Sequence, residues 1–157
     1  MTAATVRRGA ATPRDVETLL AALPEWFGIE EENRRYVTAA EHQANHAAVI
    51  DGAVVGVALT QRHSPHAAEL TLLAVHPDVH RQGIGRALVA AVEGDLAADG
   101  VELLQVKTLG SSDPSPEYAA TRGFYRALGY RDLEELHDLW PDQPCLILVK
   151  VLHPAGG

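Results

Sequence analysis

Between Ala67 and Gly100 the chain writes three elements in succession, and their junction restricts the fold more than any other segment. Leu70 to Val75 is apolar apart from Thr71, the pattern of a strand covered on both faces. From Gly83 onward, Ile84, Ala87, Leu88, Ala91, Val92 and Leu96 recur with the period of a helix that buries one stripe, and Gly100 ends it. Between the two lies His80-Arg81-Gln82-Gly83-Ile84-Gly85-Arg86. A strand, a glycine-bearing turn and a helix N terminus together make a seat for an anion. The first-turn N–H groups lack intrahelical partners, and the helix dipole favours negative charge there. Gly83 and Gly85 let the main chain approach a phosphate with no Cβ between them. Arg81 and Arg86 add cations that pair with phosphate oxygens. The same glycines also suit a plain strand-to-helix connection, so this segment alone names no ligand.

The other elements follow from local signals. Ala4 to Arg8 reads as a first strand. Thr12-Pro13 opens a helix, with Thr12 as N-cap and Pro13 in the first helical position. Glu30 to Gln43 reads as a second helix with acidic residues at its start, as the dipole prefers. His46 to Ile50 and Ala53 to Gln61 flank Asp51-Gly52, a hairpin signal. Ala67 to Val75 is the next strand, followed by the helix from Gly83. Val101 to Lys107 reads as a strand, Gly110 to Pro116 as a loop, and Pro116 to Leu128 as a helix closed by Gly129, with Tyr118, Arg122 and Tyr125 along one face. Tyr130 to Leu136 and Leu146 to Leu152 read as two closing strands, with Leu139-Trp140-Pro141 in the loop between them. The order β-α-α-β-β-β-α-β-α-β-β predicts an α/β fold: a mixed sheet with helices on both sides. At 157 residues this is one domain, with enough chain to bury a core unaided.

Charge and cysteine content exclude some functions. A net charge of −8 opposes nonspecific nucleic-acid binding and suits a cationic small substrate, so Arg81 and Arg86 form a local basic spot on an acidic molecule. No apolar run has membrane-spanning length, and the start of the chain lacks the residue order of a signal peptide. Cys145 is the single cysteine, which fits a reducing, cytoplasmic setting; it is expected to be buried as a small hydrophobe.

A second motif lies at Arg122-Gly123-Phe124-Tyr125-Arg126-Ala127-Leu128-Gly129-Tyr130. Together with Ala67 to Leu88, it resembles the GNAT superfamily of acetyl-CoA-dependent N-acetyltransferases, over roughly Ala47 to Val151. The family's acyl-CoA loop is usually written Arg/Gln-x-x-Gly-x-Gly/Ala. Gly83 and Gly85 fit it, whereas the first position is His80. The later segment is similar to the family's Phe-Tyr-x-x-x-Gly-Phe element. The resemblance implies a central, mostly antiparallel sheet with one parallel pair at the acyl-CoA cleft. It also implies that acetyl-CoA is held by His80, Arg81, Gln82, Gly83, Ile84, Gly85 and Arg86, with backbone contacts near Leu73, Ala74 and Val75. A homodimer is a further expectation by analogy.

The chemistry needs a proton acceptor and a donor. An alkyl ammonium has a pKa of about 10.4, so at neutral pH only about one molecule in 10³–10⁴ is a nucleophile. Something accepts that proton, directly or through water. Glu69 is the acidic residue in the run Ala67 to Val75, in the register of the catalytic Glu of the histone-acetylating branch. An exposed strand-end carboxylate, His66 or a water chain are alternatives for this position. Gln105, where some relatives carry a Glu, cannot be a base. Tyr125 matches the family's tyrosine near the CoA sulfur, and a protonated phenol can donate to the departing thiolate; packing beneath the sheet is its plain structural role. Thr108, Ser111 or Ser112 could replace an asparagine that many relatives place after the fifth strand.

Other residues are less informative. His42 and His46 are four apart but lack an acidic or thiol partner at metal-site spacing, so no metal is expected. His63 and His66 flank Pro65 in a loop and are expected in solvent. Glu30, Glu31 and Glu32 either line an amine-binding mouth or simply start a helix. Trp26, Phe27 and Trp140 either wall an acceptor pocket or join the core. The expected function is acetyl transfer from acetyl-CoA to a primary amine of a small molecule by direct attack, with no metal, nucleic acid or membrane involved. The alternatives are a peptide or protein amine as acceptor, and a non-catalytic acyl-CoA-binding regulatory module. A nucleotide-binding role lacks support, since no Gly-x-x-x-x-Gly-Lys-Ser/Thr loop is present.

Overall fold

The computed structural model describes residues 3–153. Seven strands form one sheet in the order β1-β2-β3-β4-β5-β7-β6. In chain order the elements are β1 (Thr5–Arg8), α1 (Pro13–Ala21), α2 (Glu30–Ala39), β2 (Ala44–Ile50), β3 (Ala53–Arg62), β4 (Ala67–Val75), α3 (Ile84–Ala98), β5 (Leu103–Leu109), α4 (Pro116–Ala127), β6 (Arg131–Trp140) and β7 (Gln143–Val151). All neighbouring strands are antiparallel except β4 and β5. This is the mixed sheet that the order of elements predicts, with the one parallel pair that the resemblance implies.

Local signals account for several ends. Thr12 caps α1 by accepting from the Asp15 amide, while the Asp15 carboxylate accepts from the Thr12 amide at 2.8 Å. Thr12→Ala removes this reciprocal cap and is expected to cost about 1 kcal/mol, measured by urea denaturation. Asp51 and Gly52 both have positive φ, 50° and 81°, as a two-residue hairpin turn needs.

Three boundaries differ from the sequence expectation. The second helix ends at Ala39, because His42 N–H bonds back to Ala39 in a tightened turn and Asn45 is tied to Ala11 through both its amide atoms. The fifth strand starts two residues later, at Leu103, where parallel pairing with Ala67 begins; before it, the amides of Glu102 and Leu103 donate to the His66 carbonyl. The last two strands form a long hairpin that turns at Pro141-Asp142, with Asp142 at φ 57°. Trp140 is therefore the final residue of β6, paired with Gln143, rather than a loop residue.

The two sheet faces bury separate clusters. Ile84, Leu88, Val89 and Val92 of α3 and Tyr125 of α4 pack on one face with Ala68, Leu70, Leu104 and Val106. Val16, Leu19 and Leu20 of α1 pack on the other with Val57, Leu59, Leu72 and Ala74. Side chains at 68, 70, 72 and 74 share a parity yet point to opposite faces. A bulge explains this: β4 pairs Leu72 with Leu59 and Leu70 with Thr60, leaving Thr71 as an extra residue. The Thr71 hydroxyl donates to the Leu59 carbonyl at 3.2 Å and anchors the bulge. Below it, Glu69 points to the α1–α2 face, opposite Ala68 and Leu70.

Candidate active site

The sheet opens where its parallel pair, the only one among the described residues, ends. β4 and β5 stay in register from Ala67↔Leu103 to Leu70↔Val106, and beyond that β4 keeps β3 while β5 follows β7. A wedge lies between the diverging strands. The amide of His76 donates to the Val55 carbonyl, which makes Gly56↔Val75 a non-hydrogen-bonded pair. By strict alternation, the N–H and C=O groups of Leu73 and Val75 turn away from β3 into the wedge, while Ala74 exchanges its bonds with Val57. The Val75 carbonyl there accepts from His80 Nε2 at 2.6 Å.

The wide end of the wedge reaches the N terminus of α3. Gly83 is its N-cap in a left-handed conformation, φ 79°, and no side chain caps the helix. The amides of Ile84, Gly85 and Arg86 occupy the first turn, where an α-helix offers no internal acceptor. A Cβ added at Gly83 would meet nothing within 4 Å, so the main chain is open on that side, whereas one at Gly85 would press on Phe124 Cζ at 3.3 Å. Gly83 thus serves approach and conformation, and Gly85 serves the packing of α4 against α3. Arg81 (φ 64°), Gln82 and Arg86 are exposed around this turn, while the Ile84 side chain is core, so Ile84 has only its amide to offer. This uncapped, unobstructed set of donors suits an anion such as a diphosphate.

At the narrow end, Glu69 is 8% exposed. Its Oε1 accepts from His63 Nε2 at 2.8 Å and Gln105 Nε2 at 3.1 Å, and Lys107 Nζ lies 3.5 Å away. Its Oε2 has no hydrogen-bond partner among the described residues. Tyr125 enters from α4 with its ring against Phe124 and Tyr130, at centroid distances of 5.2 and 5.6 Å. Burial, and secondarily the neighbouring Tyr36, push its pKa above the ordinary phenol value. Tyr36 reaches the same region from α2, and its own pKa is raised by burial, then by the charges of Glu32 and Glu69. Cys145 of β7 is fully buried nearby, its thiol pushed up by burial.

A strap crosses the wedge. The segment between α1 and α2 carries Trp26, whose Nε1 donates to the Glu117 carbonyl at 3.4 Å and whose ring meets His80 edge-on at 5.7 Å. The Tyr118 hydroxyl donates back to the Trp26 carbonyl, and burial pushes the Tyr118 pKa up to about 12. Trp26 therefore ties the turn before α3 to the start of α4. Arg122, buried in α4, donates to the carbonyls of Leu109 and Gly110 at 2.7 and 3.1 Å and fixes the end of β5.

The sequence candidates separate accordingly. Glu69 and Tyr125 both lie where the β4–β5 pairing ends, on opposite faces of the sheet, and Tyr36 is within electrostatic reach of each. The sequence missed Tyr36 and His63: Tyr36 shows only a helical aromatic, and His63 lies in a loop without periodicity. His66 is not with them; it is exposed and pairs with Glu102 at 2.8 Å. His42 follows α2 in a turn, and His46 in β2 instead bonds Asp95 of α3 at 2.6 Å. Thr108 is buried, Ser111 is exposed, and Ser112 bonds Glu135. Phe27 packs edge-on against Tyr36 at 5.9 Å. Glu30, Glu31 and Glu32 form the exposed first turn of α2.

Comparison with known proteins agrees with this fold. A family model described as an acetyltransferase (GNAT) domain matches residues 32–132. An uncharacterised N-acetyltransferase of Chlorobaculum tepidum is 31% identical over 94 residues, which cover 58% of this chain and 54% of the relative. The chain thus spans about half the length of the curated relative it matches. A solved structure from Desulfovibrio desulfuricans, assigned to the GNAT family, superposes with a TM-score of 0.81 at 22% identity, covering 95% of this chain and 99% of that one. A GNAT-family acetyltransferase of Elizabethkingia anophelis, solved with acetyl-CoA bound, superposes with a TM-score of 0.71 at 18% identity, covering 95% and 98%.

Proposed function

Since the chain belongs to the GNAT acetyltransferase family, we propose that it transfers the acetyl group of acetyl-CoA to the primary amine of a small molecule. The observation that carries this reading is the wedge. It runs from the uncapped N terminus of α3 to Glu69 and Tyr125, and its wall offers the main-chain groups of Leu73 and Val75.

Each residue then has a task. The first-turn amides of α3, with Arg81 and Arg86 beside them, hold the diphosphate. Leu73 and Val75 bind the amide-bearing arm as an added strand would, a contact Ala74 cannot make because its main chain serves β3. The amine, an ammonium in water, gives up a proton before it attacks the thioester, and Glu69 heads the residues that take it. Tyr125 faces the departing sulfur. Its raised pKa keeps it protonated, so it acts as a hydrogen-bond donor to the growing thiolate rather than as an acid that gives its proton away completely.

The small cationic acceptor rests on charge. The chain carries −8, and α2, which brings Tyr36 to the site, starts with Glu30, Glu31 and Glu32. These carboxylates attract an ammonium and disfavour an acidic protein surface. The reaction belongs to a protein working in the cytoplasm, where acetyl-CoA is available.

The test has two arms. Calorimetry is expected to show acetyl-CoA binding that Gly83→Val weakens by about tenfold or more, since a β-branched residue resists positive φ and covers the donors. Mass spectrometry across polyamines, aminoglycosides, amino acids and peptides is expected to find a +acetyl product among the small amines. Binding without any product would favour the regulatory module, and products confined to peptides would move the acceptor to a protein.

A further inference from the structure

We propose that the proton leaving the substrate amine is received by His63, and that Glu69 is the partner that orients and charges it; this deepens the transferase reading and rests on it. His63 lies just beyond β3, in the turn that leads into β4. Its Nε2 is 2.8 Å from Glu69 Oε1, while its side chain remains 40% exposed and that of Glu69 only 11%. A carboxylate only accepts, so this bond requires the proton on Nε2. The lone pair of Nδ1 is then free, and Nδ1 has no partner among the described residues. That arrangement is the orienting-carboxylate, base-imidazole pair known from nucleophilic enzymes, without the nucleophile.

The surroundings favour this division of labour. Glu69 is inside, with Oε1 engaged by Gln105 and close to Lys107 from β5, and with Tyr36 of α2 and Cys145 of β7 within electrostatic reach. A proton delivered there stays in the interior. His63 has one edge on the buried carboxylate and the other in water. In the step, one N–H bond of the substrate ammonium breaks and one forms at His63 Nδ1. This leaves a neutral amine and an imidazolium beside the Glu69 carboxylate. Nδ1 later returns the proton to water, and no other reactant is needed.

His63→Gln tests this directly, because glutamine keeps a donor to Glu69 and loses the basic lone pair. The expected result is a fall in kcat of about 10²-fold with acetyl-CoA affinity unchanged, and loss of the ionisation that shapes the acid limb of the kcat/KM profile. His63→Gln and Glu69→Gln combined are expected to cost little more than either alone, as for residues acting as a unit. Nitrogen-15 chemical shifts give a readout independent of turnover: Nε2 protonated and Nδ1 bare. Activity within about twofold of wild type with an unchanged acid limb would overturn the proposal, as would an Nδ1–H tautomer. A wild-type protein that acetylates nothing sinks the transferase reading instead, and the nitrogen spectrum still decides whether the pair is built as described.

Discussion

Glu69→Gln is expected to lower kcat for amine acetylation by about 10²–10⁴-fold while acetyl-CoA binding stays within about twofold. The substitution is nearly isosteric, so the narrow end of the wedge keeps its packing. What changes is the charge. Glu69 Oε1 receives His63 at 2.8 Å and Gln105 at 3.1 Å, with Lys107 at 3.5 Å. An amide in its place offers one acceptor oxygen and a donor nitrogen. With its oxygen at the Oε1 place it still accepts from His63 and Gln105, and its NH₂ takes the unpartnered Oε2 place, but it cannot satisfy Lys107 as a carboxylate does. The site then loses the negative charge that would stabilise an imidazolium at His63. Steady-state kinetics with a saturating amine, paired with calorimetry of acetyl-CoA, separates this from a general loss of structure. Undiminished kcat in the variant would remove Glu69 from the proton path, and the proposed roles of both residues with it.

The second large effect is alkaline. All four tyrosines of the chain, Tyr36, Tyr118, Tyr125 and Tyr130, have pKa values raised first by burial. Tyr118 reaches about 12, and Tyr130 is raised further by donating to Glu93 at 2.7 Å. An unfolded tyrosine ionises near pH 10. Because the folded values are higher, stability from these rings is fully present below about pH 10 and is lost as pH climbs toward the folded values. Each ring still protonated when its unfolded counterpart has ionised removes about 1.4 kcal/mol per pH unit. With several acting together, one unit takes away a large share of the roughly 5–15 kcal/mol that a domain possesses. At pH 10.5 the native protein should therefore show little tyrosinate absorbance at 295 nm. The signal should arrive together with loss of circular dichroism at higher pH, while urea-unfolded chain titrates near 10. A gradual rise centred near 10 in a protein that stays folded would mean that the rings are solvated and the wedge is open.

Legibility in the sequence tracks how local the determinant is. Asp51-Gly52, Thr12-Pro13 and the period from Ile84 to Leu96 each declare their element within a few residues, and each element is present. The sequence predicts too short a β6 because Arg131 to Trp140 is a largely exposed edge strand and shows no buried alternation; pairing with β7 is what extends it. The end of α2 has no local signal for a similar reason. Nothing in Ala40 to Gln43 breaks a helix, and the stop comes from the Asn45 tie to Ala11 across the fold.

The site divides along the same line. The anion seat at α3 was readable, since a glycine turn and an uncapped helix start are consecutive residues. Glu69 was readable as a carboxylate in an apolar run, but its company was not. His63, Gln105 and Lys107 meet it only because β3 returns beside β4 and β5 runs parallel to it. The Thr71 bulge, which turns Leu72 and Ala74 onto the α1–α2 face and frees Leu73 and Val75 for the wedge, leaves no local mark.

Sequence by itself determined the order of elements and the chemistry carried at each position, because dihedral preference and hydrophobic period act between near neighbours. Tertiary structure alone decided which of those groups face each other. That outcome depends on strand pairing and on the burial of surfaces far apart in the chain, and neither has a short-range signature.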